Sequence, residues 1–128
     1  MILDSSAIVA IATEEPDCLV LLSKLDRASS LGVGAQTFVE TALVLRSRLS
    51  MEPRAFLERF LSDWHVTIVP CGEDHWKVAV EAHARFGRGR HKAALNFGDC
   101  LAYATAKLAD MPLPCTGGNF SKTDLALA

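Results

Sequence analysis

Three acidic residues stand in apolar surroundings, where a charged side chain is unexpected. Asp4 interrupts the apolar stretch 1–9, Glu40 lies within residues 38–43, and Asp99 lies within residues 95–101. A buried carboxylate is costly unless it has a partner. If the three converge, their mutual repulsion raises their pKa values unless a cation joins them. Mg²⁺ or Mn²⁺ suits such an all-oxygen site and can activate water for phosphodiester cleavage.

Each of these acids also has a purely local interpretation. Asp4 can cap the helix that follows it. Asp99 comes three residues after Asn96, which is the spacing of a capping box. Glu40 can lie at the solvated edge of its helix. For each acid taken alone, the sequence fits both its local role and a role in a shared metal site.

The pattern of apolar and turn residues predicts strands that alternate with helices. The predicted strands are 1–3, 31–35, 66–69 and 112–115, and the predicted helices are 7–12, one opened by Pro16, 36–50, one opened by Pro53, 73–86 and 96–110. Such alternation indicates an α/β fold, with a mainly parallel central sheet and helices on both faces.

The apolar faces of two helices can be assigned from helical spacing. In the second helix this face carries Leu19, Leu22 and Leu25. In the third helix the apolar positions are Val39, Ala42, Leu43 and Leu49. We expect these side chains to face the core.

The predicted topology places two of the acids near one edge of the sheet. In parallel α/β sheets, ligands bind outside the carboxyl ends of the strands. Asp4 follows the first strand, and Glu40 lies early in the helix after the second. Asp99 precedes the last strand, so the fold itself must bring it to this edge.

A basic loop precedes Asp99. Residues 85–92 contain four Lys or Arg residues and His91, with no acid. An isolated basic run is often only a solvated loop, but beside an acidic pocket it can hold phosphates of a polyanion. Arg88, Arg90 and Lys92 are the candidate RNA-binding residues. Phe86 can stack on a base or belong to the core.

Composition limits the class of protein. The chain has 128 residues, of which 50% are hydrophobic and 22% are charged, and this predicts one globular domain over 1–128. The net charge of −2 argues weakly against a nucleic-acid binder. Neither the cysteines nor the histidines have the spacing of a zinc site. No signal peptide or membrane span is evident, so we expect a soluble, cytoplasmic protein.

The whole chain resembles a PIN-domain ribonuclease of the VapC toxin type, from bacterial toxin–antitoxin pairs. The resemblance is carried by residues 1–7 (MILDSSA), 37–42 (TFVETA), 87–100 (GRGRHKAALNFGDC) and 116–124 (TGGNFSKTD). It implies a three-layer α/β/α sandwich and an endoribonuclease that depends on Mg²⁺ or Mn²⁺. It also implies a homodimer and a VapB-like antitoxin, whose C-terminal tail covers the acidic pocket.

The resemblance assigns the family's acidic, catalytic and metal-binding positions to Asp4, Glu40 and Asp99. Ser6 and Thr37 match hydroxyl positions that line the same pocket. The family's usual fourth acid is replaced here by Asn119, which can hold a cation or its water but adds no charge. Asp124 can contribute instead, or can cap the last residues. We therefore expect one metal ion rather than two.

These observations support a specific hypothesis and two rivals. In the main hypothesis, Asp4 and Asp99 ligate a divalent ion, Glu40 orients the water that attacks the phosphorus, and single-stranded or looped RNA is the substrate. Asn119 motivates a second hypothesis, a catalytically weak module that binds RNA or antitoxin. The third, a receiver or dehalogenase-like phosphatase, is disfavoured because residues 4–6 lack a second aspartate.

Overall fold

The computed structural model describes residues 1–50, 52–114 and 117–128. Short strands and longer helices follow one another along the chain, and a 3₁₀ turn lies near its end. In chain order they are β1 (Ile2–Leu3), α1 (Ser5–Ala12), α2 (Cys18–Arg27), β2 (Leu31–Gly34), α3 (Ala35–Leu49), α4 (Arg54–Asp63), β3 (Val66–Val69), α5 (Glu73–Phe86), α6 (Phe97–Ala109) and the 3₁₀ turn (Phe120–Lys122).

The strands form a parallel sheet with the order β1-β2-β3. Ile2 pairs with Gly32, and Leu31 pairs with Val66. Successive side chains of a strand point to opposite faces. Accordingly, Ile2 packs into an apolar cluster with α5 and α6, whereas Leu3 packs into another with α1, α3 and α4. This arrangement confirms the α/β sandwich with helices on both faces of a parallel sheet.

In the described part of the predicted strand 112–115, residues 112–114, no regular strand forms. Leu113 makes only an isolated parallel bridge with Leu127, and the Pro112 carbonyl accepts a hydrogen bond from the Ile2 amide at 2.9 Å. This segment therefore lies beside β1 without forming a continuous ladder, because Pro112 and Pro114 lack an amide hydrogen to donate. Cys115 and Thr116 lie outside the described residues.

The predicted apolar face of α3 is wrong except at Ala42, which is half-buried and packs against the core. Val39 and Leu43 are 60% and 58% exposed, and Leu49 is exposed as well. The face turned to the core carries Thr37, Thr41 and Leu45. A threonine can be buried here because the Thr41 hydroxyl donates to the Thr37 carbonyl at 2.8 Å, which satisfies its polar group inside the helix.

The α2 face is corrected in the same way. Leu21 and Leu25 are buried, whereas Leu19 is exposed and Leu22 is half-buried. The pair at i and i+4 thus faces the core, so the prediction is confirmed for Leu25 and wrong for Leu19, and it omitted Leu21. No helix in the described residues is both long and apolar enough to span a bilayer.

Candidate active site

Asp4 is buried at the point where β1 passes into α1. Its Oδ1 accepts a hydrogen bond from the Ala7 amide at 3.2 Å, and its Oδ2 accepts one from the Ser6 hydroxyl. The capping role considered from the sequence is therefore real. Burial raises the pKa of the Asp4 carboxyl, the two hydrogen bonds oppose this, and repulsion from Asp99 raises it further. These hydrogen-bond donors are neutral, so they leave the carboxylate's charge uncompensated.

Glu40 lies in the second turn of α3 and is half-buried. Burial raises the pKa of its carboxyl, and repulsion from Asp99 and Asp4 adds to the effect. A hydrogen bond from the Ser5 side chain partly offsets the shift. Glu40 is thus not the solvated edge residue that its local interpretation allowed.

Asp99 occupies the first turn of α6. Its Oδ2 accepts a hydrogen bond from the Asn96 amide at 2.9 Å, and the Asn96 side-chain oxygen accepts one from the Asp99 amide at 2.8 Å. This reciprocal pair is the capping box that the spacing suggested. It fixes the carboxylate at the start of α6, near enough to Asp4 and Glu40 to repel both.

The fold therefore brings the predicted acids Asp4, Glu40 and Asp99 into one electrostatic neighbourhood. As they stand, no three Asp, Glu, His or Cys side chains of the described residues are arranged so that they could hold a metal ion. Each of the three carboxylates is instead hydrogen-bonded to a donor close to it in the fold. A cation must compete with these local bonds.

The residues present nevertheless fit a hard divalent ion. Three mutually repelling carboxylates, two of them with raised pKa values, are the donor set that such an ion stabilises. The Thr37 hydroxyl, only 2% exposed, has no hydrogen-bond partner among the described residues. An orphaned buried hydroxyl on the helix that carries Glu40 is a group that an ion's hydration shell can satisfy.

The remaining predicted pocket residues have different surroundings. The Ser6 hydroxyl donates a hydrogen bond to Asp4, and its role at a metal site stays a prediction. Asn119 is exposed, and its carbonyl accepts a hydrogen bond from the Lys122 amide at the 3₁₀ turn. Its role at the site stays a prediction.

Asp124 does not join the acidic site. Its carboxylate accepts a hydrogen bond from the Tyr103 hydroxyl at 2.6 Å and forms ion pairs with Lys107 and Arg85 at 3.3 and 3.4 Å. The Tyr103 bond is the main reason that the pKa of Asp124 is lowered. Asp124 therefore ties the end of the chain to α5 and α6, and the idea that it replaces the missing fourth acid is wrong.

The basic loop is anchored at both ends. The Arg88 amide donates to the Leu95 carbonyl at 3.0 Å, and the Leu95 amide donates to the Phe86 carbonyl at 2.9 Å. Between these bonds, Arg88, Arg90 and Lys92 are exposed. Residues 93–96 connect the loop to the first turn of α6, which carries Asp99.

Phe86 belongs to the core and is 8% exposed. Its ring packs against Tyr103 and against His91, with centroids 5.8 and 5.3 Å away. The alternative role in base stacking is therefore wrong.

Sequence reasoning missed two residues at the site. Ser5 hydrogen-bonds Glu40, and Gly98 lies against the same carboxylate. A glycine in the first turn of a helix was a usable signal, because glycine disfavours helices. The Ser5 contact joins two helices distant in sequence, and no local pattern encodes it.

Comparison with known proteins identifies the family. The family model described as the PIN domain matches residues 1–124. Ribonuclease VapC36 of Mycobacterium tuberculosis is 39% identical over 126 residues, which cover 98% of this chain and 91% of the relative. The chain belongs to the PIN-domain family and, within it, groups with the VapC ribonucleases.

Two solved structures share the fold at low sequence identity. VapC20 of Mycobacterium tuberculosis, described as a toxin that cleaves the sarcin–ricin loop, superposes with a TM-score of 0.80 at 14% identity, covering 99% of this chain and 97% of that one. A toxin–antitoxin complex from Klebsiella pneumoniae gives a TM-score of 0.72 at 14% identity, covering 99% and 95%. At this identity the likeness concerns the fold.

Proposed function

We propose that this chain is a Mg²⁺- or Mn²⁺-dependent endoribonuclease, the toxin of a VapBC-like toxin–antitoxin pair. The observation that carries the proposal is the convergence of Asp4, Glu40 and Asp99, whose carboxylates repel one another at the carboxyl end of β1. Membership of the VapC ribonucleases supports the activity, and the donor set supports the metal.

Asp4, Glu40 and Asp99 would hold the ion, which supplies Lewis acidity and charge neutralisation for phosphodiester hydrolysis. Glu40, held by the hydrogen bond from Ser5, orients the attacking water and accepts its proton. Arg88, Arg90 and Lys92 bind phosphates that flank the scissile bond. The substrate class is single-stranded or looped RNA in the cytoplasm, because paired bases in an A-form groove are hard to read.

The partner proteins proposed are a second copy of this chain and a VapB-like antitoxin. An apolar surface on α3, α5 and α6 supports the homodimer. Its exposed members are Val39, Leu43, Trp76, Val80 and Phe97, of which Phe97 is 81% exposed. These residues line two adjoining clefts that share Phe97 and Leu101, so they form one patch of the kind that marks an interaction surface. The acidic pocket favours an antitoxin that presents a basic side chain to it.

The activity is tested with the purified chain, a labelled single-stranded RNA and Mg²⁺ or Mn²⁺. We expect cleavage that stops with a chelator and is at least 100-fold slower in Asp99→Asn, because one ligand charge is lost. Arg54→Gln, a change on the surface of α4, is the control. Cleavage that survives both the chelator and Asp99→Asn contradicts the proposal.

A further inference from the structure

Gly98 occupies a position where a helix gains nothing from glycine. It lies in the first turn of α6, between Phe97 and Asp99. Glycine weakens a helix relative to alanine, because it loses more conformational freedom on folding. Among the described glycines only Gly89 has a positive φ, so the backbone conformation of Gly98 is open to any residue. Space, and not conformation, must explain a glycine here.

The space beside Gly98 is filled by Glu40. A β carbon built on Gly98 would lie 2.5 Å from Glu40 Oε2, 2.6 Å from Oε1 and 2.8 Å from Cδ. Real β carbons keep more than 3.0 Å from such atoms. All the nearest neighbours belong to one carboxylate group, so this carboxylate lies directly against the α carbon of Gly98.

We propose that Gly98 is a positioning residue of the acidic site. Its missing side chain provides the space in which the Glu40 carboxylate approaches Asp99. This inference rests on the proposed function, because it concerns how Glu40 reaches the metal site.

A side chain at position 98 is expected to disturb the position of Glu40 more than the fold of α6. Glu40 carries a flexible side chain, so a methyl group at position 98 displaces the carboxylate and leaves α6 in place. Displacement also breaks the bond from Ser5, which holds the carboxylate from another side. The Glu40 carboxylate then leaves the position in which it would bind the metal ion together with Asp4 and Asp99.

The experiment compares Mn²⁺ binding by Gly98→Ala and the wild type, measured from the paramagnetic resonance of free Mn²⁺. We expect affinity to fall about tenfold or more, in the range of other residues that orient ligands. The melting temperature without metal should be unchanged or higher, because alanine favours the helix. Gly72→Ala, where a β carbon meets nothing closer than 4.0 Å, is the matched control and should bind Mn²⁺ as the wild type does.

A double-mutant cycle with Glu40→Ala identifies the route of the effect. If Gly98 acts through Glu40, adding Gly98→Ala to Glu40→Ala causes no further loss of Mn²⁺ affinity. The inference is overturned if Gly98→Ala binds Mn²⁺ normally while Glu40→Ala does not. It is also overturned if Gly98→Ala lowers the melting temperature. The same holds if Gly98→Ala lowers the Mn²⁺ affinity by an equal factor in the wild type and in Glu40→Ala. Normal Mn²⁺ binding by Glu40→Ala itself instead contradicts the proposed metal site, and the inference falls with it.

Discussion

Asp99 and Asn96 exchange two hydrogen bonds at the start of α6, each side chain accepting from the other residue's amide. The carboxylate that we assign to the metal site is thus also half of a helix cap. The two roles need different properties of Asp99. The cap needs an acceptor oxygen, whereas the metal site needs a negative charge.

Substitution at these two positions should separate the roles. Asp99→Asn keeps an acceptor oxygen, so we expect it to lose Mn²⁺ binding and cleavage while its free energy of unfolding changes little. Asn96→Ala should lose about 1 kcal/mol of stability, the usual cost of a lost N-cap, and retain most activity. Chemical denaturation and RNA cleavage, measured on both variants, test this. Equal losses of activity in the two variants would contradict separate roles.

The buried charge of Asp4 predicts a dependence of stability on pH. The pKa of Asp4 is raised in the folded protein, mainly by burial. An acid with a raised folded pKa stabilises the fold when protonated, and this contribution is lost as the pH rises from the unfolded pKa of about 4 through the folded pKa. Without metal, the wild type therefore carries a stability cost at pH 7.5.

Asp4→Asn should remove that cost and keep the acceptor oxygen for the Ala7 amide. We expect the variant in chelator to be more stable than the wild type at pH 7.5, on the order of 1 kcal/mol for each unit of pKa shift removed. The difference should shrink towards pH 4, and saturating Mn²⁺ should stabilise only the wild type. Thermal melts of both proteins at several pH values measure this difference in stability. A variant that is less stable at every pH in chelator would contradict the account.

The exposed cations of the basic loop predict salt-dependent RNA binding. Replacing Arg88, Arg90 and Lys92 with glutamine should weaken binding of single-stranded RNA and lower the slope of log affinity against log salt by about 2, since each phosphate contact contributes about 0.7. Fluorescence anisotropy across a salt series, in chelator to prevent cleavage, measures the slope. Arg54→Gln is the single-charge control and should leave it unchanged. An unaltered slope in the triple variant would show that the loop does not contact phosphates.

The apolar surface on α3 predicts that dimerisation depends on Val39 and Leu43. The double change Val39→Glu and Leu43→Glu should produce a monomer, because it places charges in an interface that excludes water. Light scattering after gel filtration should give 13.8 kDa for the variant and twice that for the wild type. Val20→Glu, at an exposed position of α2, should remain dimeric. A monomeric wild type would contradict the homodimer.

The sequence predicted the element types and bounds well where local signals are strong. β3 and α5 occur at the predicted residues, and α6 has the predicted capping box. The α3 face was misassigned because apolar residues were expected inside. Thr37 and Thr41 are buried there, while Val39 and Leu43 are left on the surface. Apolar side chains also occur on protein surfaces, so the hydrophobicity of a residue alone does not show whether it faces the core.

The acidic residues of the site could be predicted from the sequence. The residues that position these acids were harder to predict. Asp4 and Glu40 stood out because charge is rare in apolar runs. Ser5 did not, because its role depends on a contact between helices far apart in sequence. Gly98 gave a local signal, a glycine in the first turn of a helix, but that signal does not show which side chain fills the space beside it. Local signals offered two roles for Asp124, and its contact with Tyr103 across to α6 corresponds to neither of them.

The central claim, that Asp4, Glu40 and Asp99 together hold one divalent ion, is tested most directly by calorimetric titration of the metal-free protein with Mn²⁺. We predict one ion per chain for the wild type, and loss of binding by at least tenfold in each of Asp4→Asn, Glu40→Gln and Asp99→Asn. Arg54→Gln should bind as the wild type does. Wild-type affinity in all three acid variants, or no binding by a folded wild type, would contradict the account.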